Sequence, residues 1–236
     1  TQNLLHDNQR PPYAKQLPGS MMSQDIFVEV SHGPTLIDNN ILLSDVSLRI
    51  ATQGVAMVHN LVCGAFTSVG AGTTWRYTPY HIPHRTEVMG FMTILHGDDR
   101  FYNNIFVQKW PADDYVILED QDPNNSSREN RLVGTHVFDE YPTYDEWISQ
   151  FDFTKRPNMR ALEPVHFGHL PVWSEGNAYL KGAKPWKKER NALITGSGDE
   201  IKVELVEKDG HYYLNTNIFD YIKDFSVRMI NTEILG

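Results

Sequence analysis

A short phrase in which asparagine directly precedes a small apolar segment recurs along this chain. The spacing from Asn40 to Asn60 is 20 residues, and the other gaps are near multiples of that interval with insertions. Periods of about 20 residues or more are typical of solenoids, in which each repeat buries its apolar edge only against its neighbours. The asparagines in question are Asn3, Asn40, Asn60, Asn104, Asn177 and Asn217.

The segments that follow these asparagines are short, rich in β-branched and aromatic residues, and bounded by Gly, Asn, Asp and Pro, which predicts strands rather than helices. Asparagine tolerates the left-handed backbone of a corner, and its amide can hydrogen-bond the equivalent amide of the next repeat. We therefore predict an all-β chain folded as a parallel β-helix, with an Asn-rich β-sandwich as the alternative. No shift in composition marks a second domain, so residues 1–236 are predicted to form one domain.

The net charge of the chain argues against two classes of binding partner, nucleic acids and membrane surfaces. The sequence has 21 Lys and Arg against 30 Asp and Glu, a formal net charge of −9. Such a surface repels phosphate backbones and acidic lipids, so binding to nucleic acid or to a membrane surface is disfavoured. The single cysteine, Cys63, excludes an intrachain disulfide and lies in an apolar segment typical of a core.

Three local patterns predict individual elements. Thr143 and Glu146 have the spacing of a capping box, which predicts a helix of about two turns from Thr143 toward Phe151. The alternation from Ile201 to Leu214, interrupted by Asp209-Gly210, predicts a hairpin. The polar stretch from Asp120 to Arg131 predicts a loop.

Glu29 is the most informative carboxylate. In the segment Ile26 to Val30, strand alternation places the aliphatic residues on one face and Phe27 and Glu29 on the other. If the aliphatic face fills the interior, Glu29 points outward beside an apolar ring, a setting that favours the protonated form of a carboxyl group and suits a general acid. A solvated glutamate on a polar strand face is the alternative. His32 follows in a tight exit from the strand and brings an imidazole close to the carboxylate.

Two further clusters could contact a ligand. Arg76, His81 and His84 lie in a Pro- and Tyr-containing stretch that is rich in hydrogen-bond donors, although a purely structural loop or a metal site are alternatives. Asp98 and Asp99 could accept sugar hydroxyls, hold a cation, or simply pair with Arg100. The sequence lacks a P-loop, a dinucleotide-binding glycine motif, a G-x-S-x-G elbow and an H-E-x-x-H motif.

Three long phrases resemble the β-xylosidases of glycoside hydrolase family 120: Phe27 to Leu42, Arg76 to His84, and Gly97 to Phe106. The similarity extends from about Asn3 to Glu189. It implies a right-handed parallel β-helix that carries a retaining glycosidase site, with one short helix and irregular loops. The family uses an aspartate nucleophile and a glutamate acid/base on neighbouring coils, and Glu29 matches the glutamate.

The resemblance also implies that the nucleophile lies in a coil upstream of Thr1, so this chain would be a C-terminal portion that lacks N-terminal coils and is inactive alone. Asp7, in the corner after the preceding strand, is the nearest acid. We predict a β-xylosidase acting on xylo-oligosaccharides without a cofactor, with Glu29 catalytic and a homo-oligomer or a complementing N-terminal portion as partner. The substrate-binding residues are predicted to be His32, Arg76, His81, His84, Asp98 and Asp99.

Two alternatives remain open at this level. A polysaccharide lyase would use a His or Arg as base, with Asp98 and Asp99 helping to bind calcium. A solenoid that binds carbohydrate without catalysis is the other. The absence of a visible signal peptide is interpreted as a cytoplasmic location.

Overall fold

The computed structural model describes a chain built mainly from short strands. The described residues are 1–8, 24–29, 31–68, 72–74, 92–111, 115–118, 127–130, 132–152, 154 and 168–227. In chain order the strands are β1 (Leu4–Leu5), β2 (Ile26–Glu29), β3 (Thr35–Asp38), β4 (Ile41–Leu42), β5 (Val46–Ala51), β6 (Val55–Val58), β7 (Leu61–Val62), β8 (Ala65–Ser68), β9 (Gly72–Thr74), β10 (Met92–Ile94), β11 (Asp99–Tyr102), β12 (Ile105–Val107), β13 (Tyr115–Leu118), β14 (Ser127–Asn130), β15 (Val172–Glu175), β16 (Ala178–Leu180), β17 (Leu193–Ile194), β18 (Val203–Lys208) and β19 (His211–Thr216). The helices are a 3₁₀ turn (Thr135–Phe138), α1 (Tyr144–Ile148) and α2 (Ile218–Ile222).

Three parallel sheets organise the described chain. Sheet I has the strand order β2-β5-β8, and sheet II has the order β3-β6-β11-β15. Sheet III has the order β1-β4-β7-β12-β16-β17. Successive strands enter sheets I, II and III in turn, as in β2-β3-β4 and then β5-β6-β7. Parallel pairing throughout these sheets agrees with the predicted repeats and differs from the antiparallel pairing expected of a β-sandwich.

One later pass of the chain, that is, one circuit through the three sheets, departs from this pattern. Between β12 and β15 the described chain holds the antiparallel pair β13-β14 and the 3₁₀ turn Thr135–Phe138. This 3₁₀ turn contacts β8, the last strand of sheet I. The turn therefore covers the edge at which sheet I ends.

The interior is filled by side chains that stack from one pass to the next. Ile37, Met57 and Phe101 are register partners on β3, β6 and β11, and all three are buried. The Phe106 ring lies 4.9 Å from that of Tyr179, with an interplanar angle of only 7°. Because each pass buries its apolar row against the next one, stability depends on neighbouring passes rather than on one central cluster.

A ladder of five asparagine side chains runs through the stack, as the repeat predicts. After the first asparagine, each Oδ1 accepts from the backbone N–H and the Nδ2 of the preceding asparagine in the series, with all donor–acceptor distances between 2.8 and 3.1 Å. The members are Asn3, Asn40, Asn60, Asn104 and Asn177. The sixth asparagine, Asn217, precedes α2 instead, so its assignment to the strand repeat is wrong.

The left-handed corner falls one residue earlier than predicted. The residue before each ladder asparagine, or rung, has a positive φ between 54° and 73°, whereas none of the five ladder asparagines has a positive φ. The left-handed residues are Gln2, Asn39, His59, Asn103 and Gly176. The ladder asparagines therefore contribute through their side-chain amides, and their backbone conformation does not require asparagine.

Two of the three local predictions are confirmed. Thr143 caps α1 in a capping box, accepting from the Glu146 N–H while the Glu146 carboxylate accepts from the Thr143 N–H. β18 and β19 pair in the predicted hairpin, with positive φ at both Asp209 and Gly210. The predicted loop from Asp120 to Arg131 is wrong in part, because Ser127–Asn130 forms the strand β14 paired with β13.

Candidate functional site

Glu29 occupies the last position of β2, on the outward face of sheet I. Ile26 and Val28 pack against the core, which confirms the predicted alternation for the described part of that segment, and Glu29 is exposed. Phe27 lies on the same outward face, where the Arg49 guanidinium sits 5.4 Å from its ring centroid. The glutamate is thus presented to solvent by a rigid strand.

A corner of closely packed glycines follows Glu29. A Cβ placed on Gly33 would come within 2.6 Å of the Gly54 carbonyl oxygen, and the φ of Gly33 is +71°. His32, which is exposed, leads into this corner. The tight stacking fixes the backbone on which His32 is displayed, because no side chain can be inserted there.

Asp98 comes to the same corner from a later pass. A Cβ on Gly54 would lie 3.1 Å from the His32 carbonyl oxygen and 3.6 Å from Asp98 Oδ2. Asp98 is half-buried, and its Oδ1 accepts from Arg100 Nη1 at 2.9 Å. The structure therefore brings Asp98 close to the His32 backbone, and it also shows the ion pair that the sequence offered as the simpler role for Asp98.

Asp99 does not face the surface. It is fully buried at the start of β11, and its Oδ1 accepts from the Val55 N–H at 2.9 Å. Burial raises the pKa of the Asp99 carboxyl group well above its usual range. A sugar bound outside the sheets could not reach this carboxyl group, so the position corrects the expectation of a surface subsite at Asp99.

The remaining predicted residues fall into two groups. Arg76, His81 and His84 lie outside the described residues. Asp7 is exposed in the corner after β1, and its Oδ2 lies 2.7 Å from His6 Nδ1. Within the described residues, no group of three or more His, Cys, Asp or Glu side chains could hold a metal ion.

A buried network that sequence reasoning missed ends the asparagine ladder. Glu189 accepts from the Tyr179 hydroxyl and from Asn177 Nδ2, each at 2.7 Å, and from the Ser174 hydroxyl. Burial raises the pKa of Glu189 above its ordinary value. In the next pass Ala192 follows the left-handed Asn191, so Glu189 supplies the acceptor that a further asparagine would have supplied.

A pocket between α1 and β15 was also missed. It has a volume of about 430 Å³ and is lined by both aromatic and charged side chains. The aromatic and basic side chains of the lining are those of Tyr144, Trp173, Trp186, Lys188 and Arg190. These residues come from separate segments, so only the local richness in Trp and Tyr could have drawn attention to them.

Comparison with solved structures identifies a fold of the same kind in XylC, described in a complex with xylose. The match has a TM-score of 0.67 and 33% sequence identity, and it covers 90% of this chain. The chain spans only 30% of the XylC chain. No protein-family model matches this sequence, and neither does any curated protein.

The likeness to XylC and the three parallel sheets agree in giving the described chain a fold of mainly parallel β-structure. None of the helices in the described ranges has the length and apolar composition needed to cross a bilayer.

Proposed function

We propose that this chain is the β-helical portion of a retaining β-xylosidase similar to those of glycoside hydrolase family 120, and that Glu29 is its acid/base. The observation that carries the proposal is the exposed position of Glu29 on sheet I, in a chain whose fold is similar to that of XylC and whose sequence is 33% identical to it, with 90% of this chain covered. The sequence resemblance around Phe27 to Leu42 supports the same assignment. The coil is taken to be right-handed, as in that family.

In this proposal Glu29 protonates the glycosidic oxygen as the first bond breaks, and a second carboxylate attacks the anomeric carbon. The resulting glycosyl ester is hydrolysed by a water molecule from which Glu29, now ionised, removes a proton. The outward face of sheet I leaves the carboxyl group open to a sugar on the solvent side. His32 and Asp98 border the adjoining corner and are proposed to contact the sugar hydroxyls.

The register of sheet I restricts where the nucleophile could lie. Neighbouring strands are ~4.7 to 4.9 Å apart, close to the ~5 to 5.5 Å separation of the carboxyl groups in retaining glycosidases. The partner of Glu29 on β5 is Ala51, and that of Phe27 is Arg49. Since β5 offers no carboxylate there, we propose that the nucleophile belongs to the coil on the opposite side of β2, in sequence that precedes this strand.

The test is Glu29→Gln in the chain extended upstream through its gene, compared on nitrophenyl-β-xyloside and xylobiose. Loss of general acid catalysis is expected to lower turnover of xylobiose by roughly 10²- to 10⁴-fold. The loss on the nitrophenyl substrate should be much smaller for bond cleavage, because its leaving group needs little protonation. Glu207→Gln, an exposed glutamate on the hairpin strand β18, is the control.

Undiminished turnover of xylobiose by Glu29→Gln would exclude Glu29 as the acid/base. Failure of the extended wild-type protein to hydrolyse either substrate would exclude the β-xylosidase itself. The lyase alternative needs calcium held by Asp98 and Asp99. In the described structure Asp98 is paired with Arg100 and Asp99 is fully buried, so neither favours that alternative.

A further inference from the structure

Arg49 belongs to the surface of sheet I that borders Glu29. Its neighbours on β5, Leu48 and Ile50, are buried in the interior, whereas Arg49 is half-buried and lies on the outward face. The guanidinium reaches across to β2, where it lies 5.4 Å from the centroid of the Phe27 ring. Arg49 therefore shares the outward face of sheet I with the proposed acid/base.

Strand geometry gives the separation of this cation from Glu29. Phe27 and Glu29 are alternate residues of β2, so their side chains leave the same face about 6.6 Å apart. The register partner of Glu29 on β5 is Ala51, which contributes only a methyl group to that face. The space above Ala51 is therefore bordered by the Glu29 carboxyl group and by the Arg49 guanidinium.

The Arg49 guanidinium has no hydrogen bond or ion pair with any of the described residues. By contrast, Arg100 pairs with Asp98 at 2.9 Å. Arg190 pairs with Glu175 at 3.4 Å. A guanidinium carries five N–H donors, and no Arg49 nitrogen is among the solvent-inaccessible atoms that lack a partner in the described chain. Arg49 thus presents accessible, unused donors beside the proposed acid/base.

The order of groups on sheet I places the leaving group on the Arg49 side of Glu29. The nucleophile is proposed to lie on the coil before β2, and β5 lies on the other side of β2. In a retaining glycosidase the nucleophile attacks the anomeric carbon from the face opposite to the departing oxygen. The departing group therefore extends away from the nucleophile, over Ala51 and toward β5.

We propose that Arg49 binds the hydroxyl groups of a neutral sugar at the leaving-group position, and so favours saccharide over other leaving groups. This inference rests on the proposed function. Two N–H groups of the planar guanidinium can donate to neighbouring hydroxyl oxygens of one pyranose. The Phe27 ring restrains the guanidinium, which reduces the conformational entropy that is lost when the sugar binds.

The test measures the step in which an acceptor refills the leaving-group position. The protein extended upstream receives nitrophenyl-β-xyloside as donor, together with xylose and methanol as competing acceptors. In this step the acceptor oxygen bonds to the anomeric carbon, the bond to the nucleophile breaks, and Glu29 takes the hydroxyl proton. Xylose has further hydroxyl groups for Arg49 to bind and methanol has none. The ratio of disaccharide to methyl xyloside therefore reports binding by Arg49.

Arg49→Met keeps an apolar stem over Phe27 and removes the donors. We expect the ratio of disaccharide to methyl xyloside to fall by roughly 10-fold or more, because hydrogen bonds from a charged group are lost. Arg49→Lys keeps the charge but not the planar fork, so the ratio should fall less. Arg190→Met, at an exposed arginine beside β15, is the matched control and should leave the ratio unchanged.

An unchanged ratio in Arg49→Met would overturn the inference, and so would an equal fall in Arg190→Met. Transfer to glucuronic acid in preference to xylose, lost in Arg49→Met, would also overturn it, because the guanidinium would then select a carboxylate. Hydrolysis of the donor with an unchanged ratio would refute only the role of Arg49. Absence of hydrolysis by the extended wild type would refute the proposed function and this inference with it.

Discussion

Asn104 is the rung of the asparagine ladder whose loss should be felt most clearly. Its side chain is 1% exposed and takes part in four hydrogen bonds. Its Oδ1 accepts from the N–H and the Nδ2 of Asn60, each at 3.0 Å, while its Nδ2 donates to the Met57 carbonyl oxygen and to Asn177 Oδ1. Asn104→Ala removes all four at once.

The expected cost follows from which groups lose their partners. The backbone N–H of Asn60 is directed at Asn104 Oδ1, and it would become a buried donor without an acceptor, at a cost of about 1 to 3 kcal/mol. The other broken bonds each leave a partner with a remaining contact or a second lone pair, at a net cost of about 0.5 to 1.5 kcal/mol per bond. Because such contributions are not additive within one network, we expect Asn104→Ala to lower the free energy of unfolding by about 2 to 5 kcal/mol.

Urea denaturation provides the measurement, with the change read from the midpoint at a constant slope. The matched control is Asn103→Gly, one residue earlier, where the side chain is half-buried, lies outside the ladder and has a φ of +54°. Glycine adopts that backbone readily, so the control should change stability by less than about 1 kcal/mol. Equal effects of the two substitutions would show that the buried amide ladder does not stabilise the stack and would refute the reasoning.

Two further predictions concern buried positions near the corner of sheet II. Gly97→Ala should lower the free energy of unfolding by more than about 2 kcal/mol, because the new Cβ would come within 2.2 Å of the Leu170 carbonyl oxygen at a φ of +88°. The control is Gly198→Ala, which should be nearly neutral because no atom lies within 4 Å of the new Cβ. Thermal unfolding of the two variants would show whether their stabilities differ. Burial, with a smaller contribution from the nearby charge of His169, lowers the pKa of His96 to about 4. His96 should therefore stay neutral in NMR titrations of the native protein from pH 7 to pH 5. Its contribution to stability should fall as the pH drops from 6.5 to 4, because only the unfolded chain takes up the proton in that range. Protonation of the native imidazole near pH 6.5 would contradict this prediction.

The regular part of the fold was predictable because its period is visible in the sequence. Asparagines recur at the same point of successive passes, and the apolar segments after them form five of the six strands of sheet III. The position of the left-handed residue was not predictable from residue type, since His59 and Gln2 occupy it as well as asparagines. Local hydrogen bonding decided α1 and the hairpin, so both were predicted correctly.

The expectation that Asp99 would face a ligand was wrong because it rested on the carboxyl group alone and not on the in-and-out alternation of side chains along β11. Phe101 is apolar and follows two positions later on the same strand, which indicates that Asp99 also faces inward. Asp98 precedes the strand, and its left-handed backbone directs the chain out of the corner. Two adjacent carboxylates were thus treated as equivalent although the strand begins between them.

The pocket at β15 could not have been predicted, because its residues come together only through the stacking of passes with insertions of different length. Arg100 and Trp173 are partners in sheet II, yet nothing in their sequence separation reveals it.

Sheet II ends at β15, so the row that passes Leu36, Ala56 and Arg100 finishes at Trp173. The outer edge of β15 is hydrogen-bonded only locally, to the backbone of Pro142 and Arg190, among the described residues. A sheet edge normally exposes unpaired backbone groups, and natural proteins cover it with other elements. Here α1 and the segment from Trp186 to Arg190 provide the surrounding side chains but leave a pocket between them. The same termination also explains Glu189, which satisfies the last rung of the ladder where the regular repeat stops. The end of the stack is therefore where this chain departs from its repeat, and that departure creates both a half-buried acid, Glu189, and the pocket beside β15.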